Sequence, residues 1–126
     1  MALVLQLQAG GTRALLMSAS GFSTEQWLLE NEPDLRSDIL IKGQHSKDLS
    51  GTPDFLARVA PKIVVCSALG YAQPIEKLDA WEADAAAQGI TVFRQDKTGA
   101  VHIDIRDDCY EVRPFLGGQI FRSFAR

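Results

Sequence analysis

The sequence is poor in the residues that usually announce chemistry. Two histidines, His45 and His102, and two cysteines, Cys66 and Cys109, are spread over 126 residues. No Cys-x-x-Cys pair or zinc-finger spacing occurs, so no structural zinc site is expected. Two cysteines allow at most one bridge, and Cys66 sits in the apolar run Ile63-Val64-Val65-Cys66, the usual setting of a small buried thiol. No basic run is present either. With 13 basic and 16 acidic residues the net charge is −3, which argues against a protein that grips a polyanion by charge, because that needs clustered Lys and Arg. DNA contact is left open, without support from the charge. No apolar stretch approaches the roughly 20 residues that cross a bilayer, and the start lacks the charged and cleavage regions of a signal peptide. The chain is therefore expected to be soluble, with no membrane insertion of its own.

What is present suits one folded domain spanning residues 1–126. A 46% hydrophobic and 23% charged composition is that of an ordinary globular protein, and no internal repeat, low-complexity tract or linker interrupts it. Leu3, Leu5 and Leu7 alternate with Val4, Gln6 and Gln8, the period of a strand. Gly10-Gly11 supplies a tight turn, and residues 12–17 return as a second strand. Ser23 followed by Gln26 reads as a capping box opening a helix, with Phe22 stapled on Trp27 and Pro33 as its end. Residues 38–41 form a short strand, after which Thr52-Pro53-Asp54 starts a second helix with cap, proline and acid in order. Residues 62–67 are a buried strand. Pro74 begins the longest helix, running to about Gln88, with Ile75, Leu78, Trp81 and Ala85 on one side and Gly89 as the stop. Strands follow at 90–94, 100–105 and 110–115, the first two joined by a turn at Asp96–Gly99. The order is that of an α/β layer with crossovers in the middle and hairpins at both ends.

That ordered series resembles a known family. The hairpin ending Arg13-Ala14-Leu15-Leu16-Met17-Ser18-Ala19, the block Asp38-Ile39-Leu40-Ile41-Lys42-Gly43-Gln44-His45-Ser46, the helix and strand from Asp54 to Ser67, Gln73-Pro74 before the long helix, and the segment Gly89 to Val101 resemble the C-terminal half of the metallo-β-lactamase-type domain of ComEC competence proteins. The resemblance covers about residues 2–105. It implies half of an αββα sandwich, a mixed sheet with helices on one face. It also implies an upstream half carrying a His-x-His-x-Asp-His cluster, and no such cluster occurs here.

The family's Zn or Mn site would need imidazole and carboxylate ligands that activate a bound water. This chain departs from the pattern at each matching position. Ala19 stands where the family has a bridging Asp, and Gln44 where it has the first histidine of His-His-Gly-Ser, leaving His45 alone before Ser46. Gln73 stands where the family has the late histidine. Ala19, Gln44, His45, Ser46 and Gln73 would thus line a vestigial cleft, with no metal, no cofactor and no catalytic residue expected.

The resemblance implies a non-catalytic module of a DNA-uptake protein with a structural or interaction role, attached on the extracytoplasmic side of a bacterial inner-membrane protein. The alternative is a metal-dependent DNA phosphodiesterase completed by an upstream half. A half sandwich should leave one apolar sheet face open, which would take another copy or that upstream half. Ser46, Lys47, Ser50 and Thr52 could contact a phosphate, although Thr52 is more simply a helix cap. His102 should face solvent with Asp104, and Trp27 and Trp81 should serve the core or an interface. The apolar tail from Tyr110 to Arg126 either packs back or reaches a partner.

Overall fold

A computed structural model describes residues 3–45, 47–67, 74–117 and 119–124. Alternating apolar residues in short runs dictate strands, and the longer periodic segments between them dictate crossover helices. The elements are β1 (Leu5–Ala9), β2 (Thr12–Leu16), α1 (Phe22–Asn31), β3 (Ile39–Ile41), α2 (Pro53–Val59), β4 (Ile63–Cys66), α3 (Ile75–Ala87), β5 (Thr91–Arg94), α4 (Gln95–Thr98), β6 (Val101–Ile105), β7 (Cys109–Pro114) and β8 (Phe121–Phe124).

They form an α/β fold with two sheets, a five-stranded one in the order β1-β2-β3-β4-β5 and a three-stranded one in the order β6-β7-β8. In the larger sheet β1 and β2 make an antiparallel hairpin, and β2, β3, β4 and β5 run parallel. The sheet is therefore mixed. Among the described residues no helix is long and apolar enough to cross a membrane.

Register explains the layers. Leu15, Leu40, Val64 and Val92 lie opposite one another across the four parallel strands. This row meets Leu28 of α1, Phe55, Leu56 and Val59 of α2, and Leu78, Trp81 and Ala85 of α3. A strand's side chains alternate between faces, so Ala14, Ile39, Ile63, Val65 and Phe93 point the other way, where they pack on Tyr110 and Val112. Near-continuous apolar strands such as Ile63-Val64-Val65-Cys66 are what a sheet covered on both sides requires.

The second sheet corrects two expectations and decides a third that was left open. The apolar face of the main sheet is not left open, because the chain's own β6, β7 and β8 cover most of it. Segment 96–99 is not a hairpin turn. The one-turn helix α4 carries the chain from β5 in one sheet to β6 in the other, so those strands are not neighbours. The tail packs back as β8, antiparallel to β7, with Phe121 stacked on Tyr110 at a ring-centroid distance of 6.1 Å. Gly11 N donates to Asp107 O at 3.3 Å, tying the first hairpin to this sheet.

Helix α1 also starts differently from its expected capping box. Its N-cap is Gly21, without a side-chain cap from its own segment, and Phe22 and Trp27 are both exposed rather than stapled in a core. Helices α2 and α3 follow the sequence closely: the Thr52 hydroxyl caps Phe55 N, and Pro74 precedes the first turn of α3. Cys66 and Cys109 are free thiols.

If Tyr110 anchors the second sheet to the first, Tyr110→Ala should cost about 3–5 kcal/mol, the usual loss for a buried aromatic. Phe115→Ala, at a side chain 79% exposed, should stay within about 0.5 kcal/mol. Urea denaturation of both variants checks this, and equal losses would contradict it.

Candidate functional site

In a parallel sheet the loops after the carboxyl ends of the strands gather along one edge, where α/β proteins usually place their sites. Here that edge is built by residues 17–21 after β2, 42–45 and 47–52 after β3, Ser67 after β4, and Arg94 at the end of β5 with α4 after it. The first two loops touch intimately. Gln44 N donates to Ser18 O at 3.0 Å, and a Cβ on Gly43 would lie 2.3 Å from Ser20 O. A Cβ on Gly21 would meet Asp48 Oδ2 at 2.6 Å and His45 Cγ at 2.8 Å, so a side chain at Gly43 would strike backbone, whereas one at Gly21 would have to displace Asp48 and His45. Ser18 and Ser50, one in each loop, hold left-handed backbone at φ 55° and 56°, which costs a non-glycine residue roughly 1–2 kcal/mol.

The structure places Ala19, Gln44 and His45 in the loops of this shared edge. Ser46 and Gln73 lie outside the described residues. Ala19 is exposed and Gln44 and His45 are half-buried. His45 Nδ1 accepts from Lys47 N at 3.2 Å and lies 3.5 Å from Asp48 Oδ2. Asp48 in turn accepts from Phe22 N at 3.2 Å and Ser50 N at 3.0 Å. The acid that caps α1 therefore comes from the next loop, which is why Ser23 is not needed for it.

Beneath this rim lies a polar cluster that residue type alone did not reveal. Glu25 is buried in the first turn of α1. Its carboxylate accepts from Gly51 N at 2.6 Å, from Thr52 N at 3.0 Å and from the Thr52 hydroxyl at 3.0 Å. A helix N-terminus attracts anions through its unpaired N–H groups and dipole, and at α2 the anion is this side chain. The phosphate contact considered for Ser50 and Thr52 is thereby displaced. Thr52 serves Glu25 and the α2 cap, and Ser50 Oγ donates to Gly43 O and meets Lys42 Nζ at 3.0 Å.

Lys42 is the second buried charge. Its ammonium donates to Leu49 O and Ser50 Oγ and sits 5.0 Å from the Trp81 ring centroid, a cation–π contact. Trp81 Nε1 donates to Gly51 O at 2.8 Å, so α3 is fastened to the same loop. Burial pushes the Lys42 pKa down, while the charges of Cys66, Glu25 and Asp48 oppose that shift.

Farther along the edge Arg94, with a side chain 1% exposed, is held by Asp79, Glu82 and Asp96. Its hydrogen bond to Asp96 raises its pKa against the effect of burial, and the same bond holds the Asp96 carboxyl below its ordinary range.

The pattern did carry a signal for each of these residues. Lys42 lies two residues beyond Leu40 and Arg94 two beyond Val92, both on the helix-facing row, and Glu25 precedes Leu28 by three on the buried stripe of α1. Trp81 is buried as expected. Trp27 is instead 56% exposed, and His102 faces outward from β6.

These side chains do not suit a catalytic transition metal. Ala19 offers no donor, Gln44 is a poor one, and His45 already uses Nδ1 for a backbone contact. Among the described residues no three His, Cys, Asp or Glu side chains are placed to hold an ion. What the arrangement does is lock loops: carboxylate, ammonium, hydroxyl and indole satisfy one another and the backbone. The chain matches no protein-family model, and no curated protein matches it.

The lowered Lys42 pKa has a testable sign. Between its folded value and the ordinary 10.5 the unfolded chain holds more protons than the folded one, so stability contributed through Lys42 rises with pH. Measured by denaturation from neutral pH upward, the wild-type stability minus that of Lys42→Met should increase toward pH 10.5. A difference flat in pH would contradict the lowered Lys42 pKa.

Proposed function

We propose that this chain is a non-catalytic, metallo-β-lactamase-like module of a ComEC-type DNA-uptake protein, with a structural or interaction role. The observation that carries this reading is the use of the carboxyl edge of the sheet. Its loops are fastened by Glu25, Lys42, Asp48 and Trp81, and the positions that would supply ligands hold Ala19, Gln44 and a His45 engaged with its own loop. Such an edge retains the shape of a site while its polar groups serve folding.

The mixed sheet with helices on one face supports reading the fold as half of an αββα sandwich, in which β6, β7 and β8 take much of the place of the opposite sheet. The proposed role sits beside a membrane-embedded partner on the extracytoplasmic side. A net charge of −3 favours protein contacts over a grip on DNA.

Calorimetric titration of the purified chain with Zn²⁺ and with Mn²⁺ tests the reading. No stoichiometric binding is expected, and no nuclease activity on DNA with either ion. Tight one-to-one binding abolished by His45→Ala would overturn it and favour the half-site phosphodiesterase.

A further inference from the structure

Strand β1 is an edge strand whose outer side pairs with no strand among the described residues. Edges of this kind are usually protected by charge, proline, a bulge or a cover. Residues 3–9 contain none of the chain's 13 basic and 16 acidic residues and no proline. The pairing with β2 runs without a bulge from Leu5 opposite Leu16 to Ala9 opposite Thr12.

Both faces of the strand are also incompletely covered. Leu5 and Leu7 share the face of Leu16 and Ala14 but remain 51% and 52% exposed, and Leu3, in step with them, 66%. On the opposite face an open groove of about 850 Å³ runs between β1 and α1, lined by Val4, Gln6, Leu15, Trp27, Leu28 and Leu35. A strand with an open edge and two under-covered faces lacks a neighbouring strand that would extend both layers.

We propose that the neighbour is β1 of a second copy, paired antiparallel about a two-fold axis at Leu5. In that register Leu5 faces the partner's Leu5 and Leu3 faces the partner's Leu7, so six leucines form one continuous apolar row. Val4 faces the partner's Gln6 on the other side. Directly opposed residues of antiparallel strands lie on the same face, so the axis is perpendicular to the sheet and the two grooves open on the same side. They merge into one trough walled by the two α1 helices, with a Trp27 on each wall.

The pattern is self-complementary, as an isologous contact requires. Residues 3–9 carry no charge, so the two strands meet without repulsion, and of the two acids lining the groove behind them, Glu32 and Asp34, the latter is paired with Arg13. The contact offers one strand edge and one helix flank per copy. So small a contact makes a weak rather than an obligate interface, and the pairing is expected to be reversible and concentration-dependent.

Sedimentation over a concentration series should show a monomer–dimer equilibrium for the wild type and a folded monomer for Leu5→Lys, with unchanged circular dichroism. In a Cys109→Ser background, Leu5→Cys should oxidise to a disulfide-linked dimer. Leu3→Cys and Leu7→Cys should link efficiently only when mixed. The cross-linking decides the matter if Leu5→Lys fails to fold.

A wild type that stays monomeric throughout overturns the proposal and leaves the edge to a strand from another segment or protein. Folded Leu5→Lys that still dimerises places the contact elsewhere, and Leu7→Cys that links to itself as readily as Leu5→Cys refutes the register. None of these readouts depends on whether the chain binds a metal.

Discussion

The carboxyl edge of the sheet depends on one buried carboxylate. Glu25 leaves the first turn of α1 and inserts into the start of α2, where it accepts two backbone N–H groups and a hydroxyl. A buried charge is costly unless its hydrogen-bonding capacity is filled, and here the filling groups belong to a loop 26 residues away. Two helices separated in sequence are thus tied at their N-termini. Lys42 extends the tie by donating to the same loop from the end of β3, and Trp81 joins it from α3 through the Gly51 carbonyl. Each connection satisfies a polar group that would otherwise be stranded, so the network acts as one unit.

This network also shapes what the edge can do. A helix N-terminus beside glycine-rich loops is a common place for an anion, yet the anion at α2 is covalently part of the chain. Asp48 treats α1 similarly from the neighbouring loop. The close approach of those loops then demands Gly43, leaves no room for a side chain at Gly21 unless Asp48 and His45 move, and holds left-handed serines at 18 and 50. The edge is built at an energetic cost, and its polar groups are engaged with one another and with the backbone. The opposite face obeys a separate constraint. Ile39, Ile63, Val65 and Phe93 need a cover, and the chain provides one by switching sheets at α4. That cover stops short of β1.

Much of this architecture was legible in the order of residues. Thr52-Pro53-Asp54 gave the start of α2 because cap, proline and acid act locally. The branched run 63–66 gave a central strand, and Pro74 and Gly89 bracketed α3. Three features were not legible, each because a distant residue decides it. Ser23 looked like a cap, but Asp48 performs that task by accepting from Phe22 N, 26 positions away. Segment 96–99 has turn composition, and only the demand for a cover over the far sheet face sends the chain onward rather than back. Residues 121–124 are too short a run to announce a strand without β7 beside them. At the site, Ala19, Gln44 and His45 lie on the two touching loops of one sheet edge, whereas Glu25, Lys42 and Arg94 were missed. Charged residues are ordinarily solvated, and their place on buried stripes becomes meaningful only when partners are known.

The most direct test of this account is native-state hydrogen exchange at the amides of Gly51 and Thr52. If Glu25 holds the loop, both amides exchange only through large-scale opening in the wild type, with protection close to that of the central strand β4. Glu25→Gln should lower that protection by at least tenfold, as expected for losing about 1.5–3 kcal/mol of charge-assisted hydrogen bonding, while β4 keeps a higher protection than the loop. Rapid exchange of Gly51 and Thr52 in the wild type, or protection that falls no further there than in β4 on substitution, would contradict the central role given to Glu25.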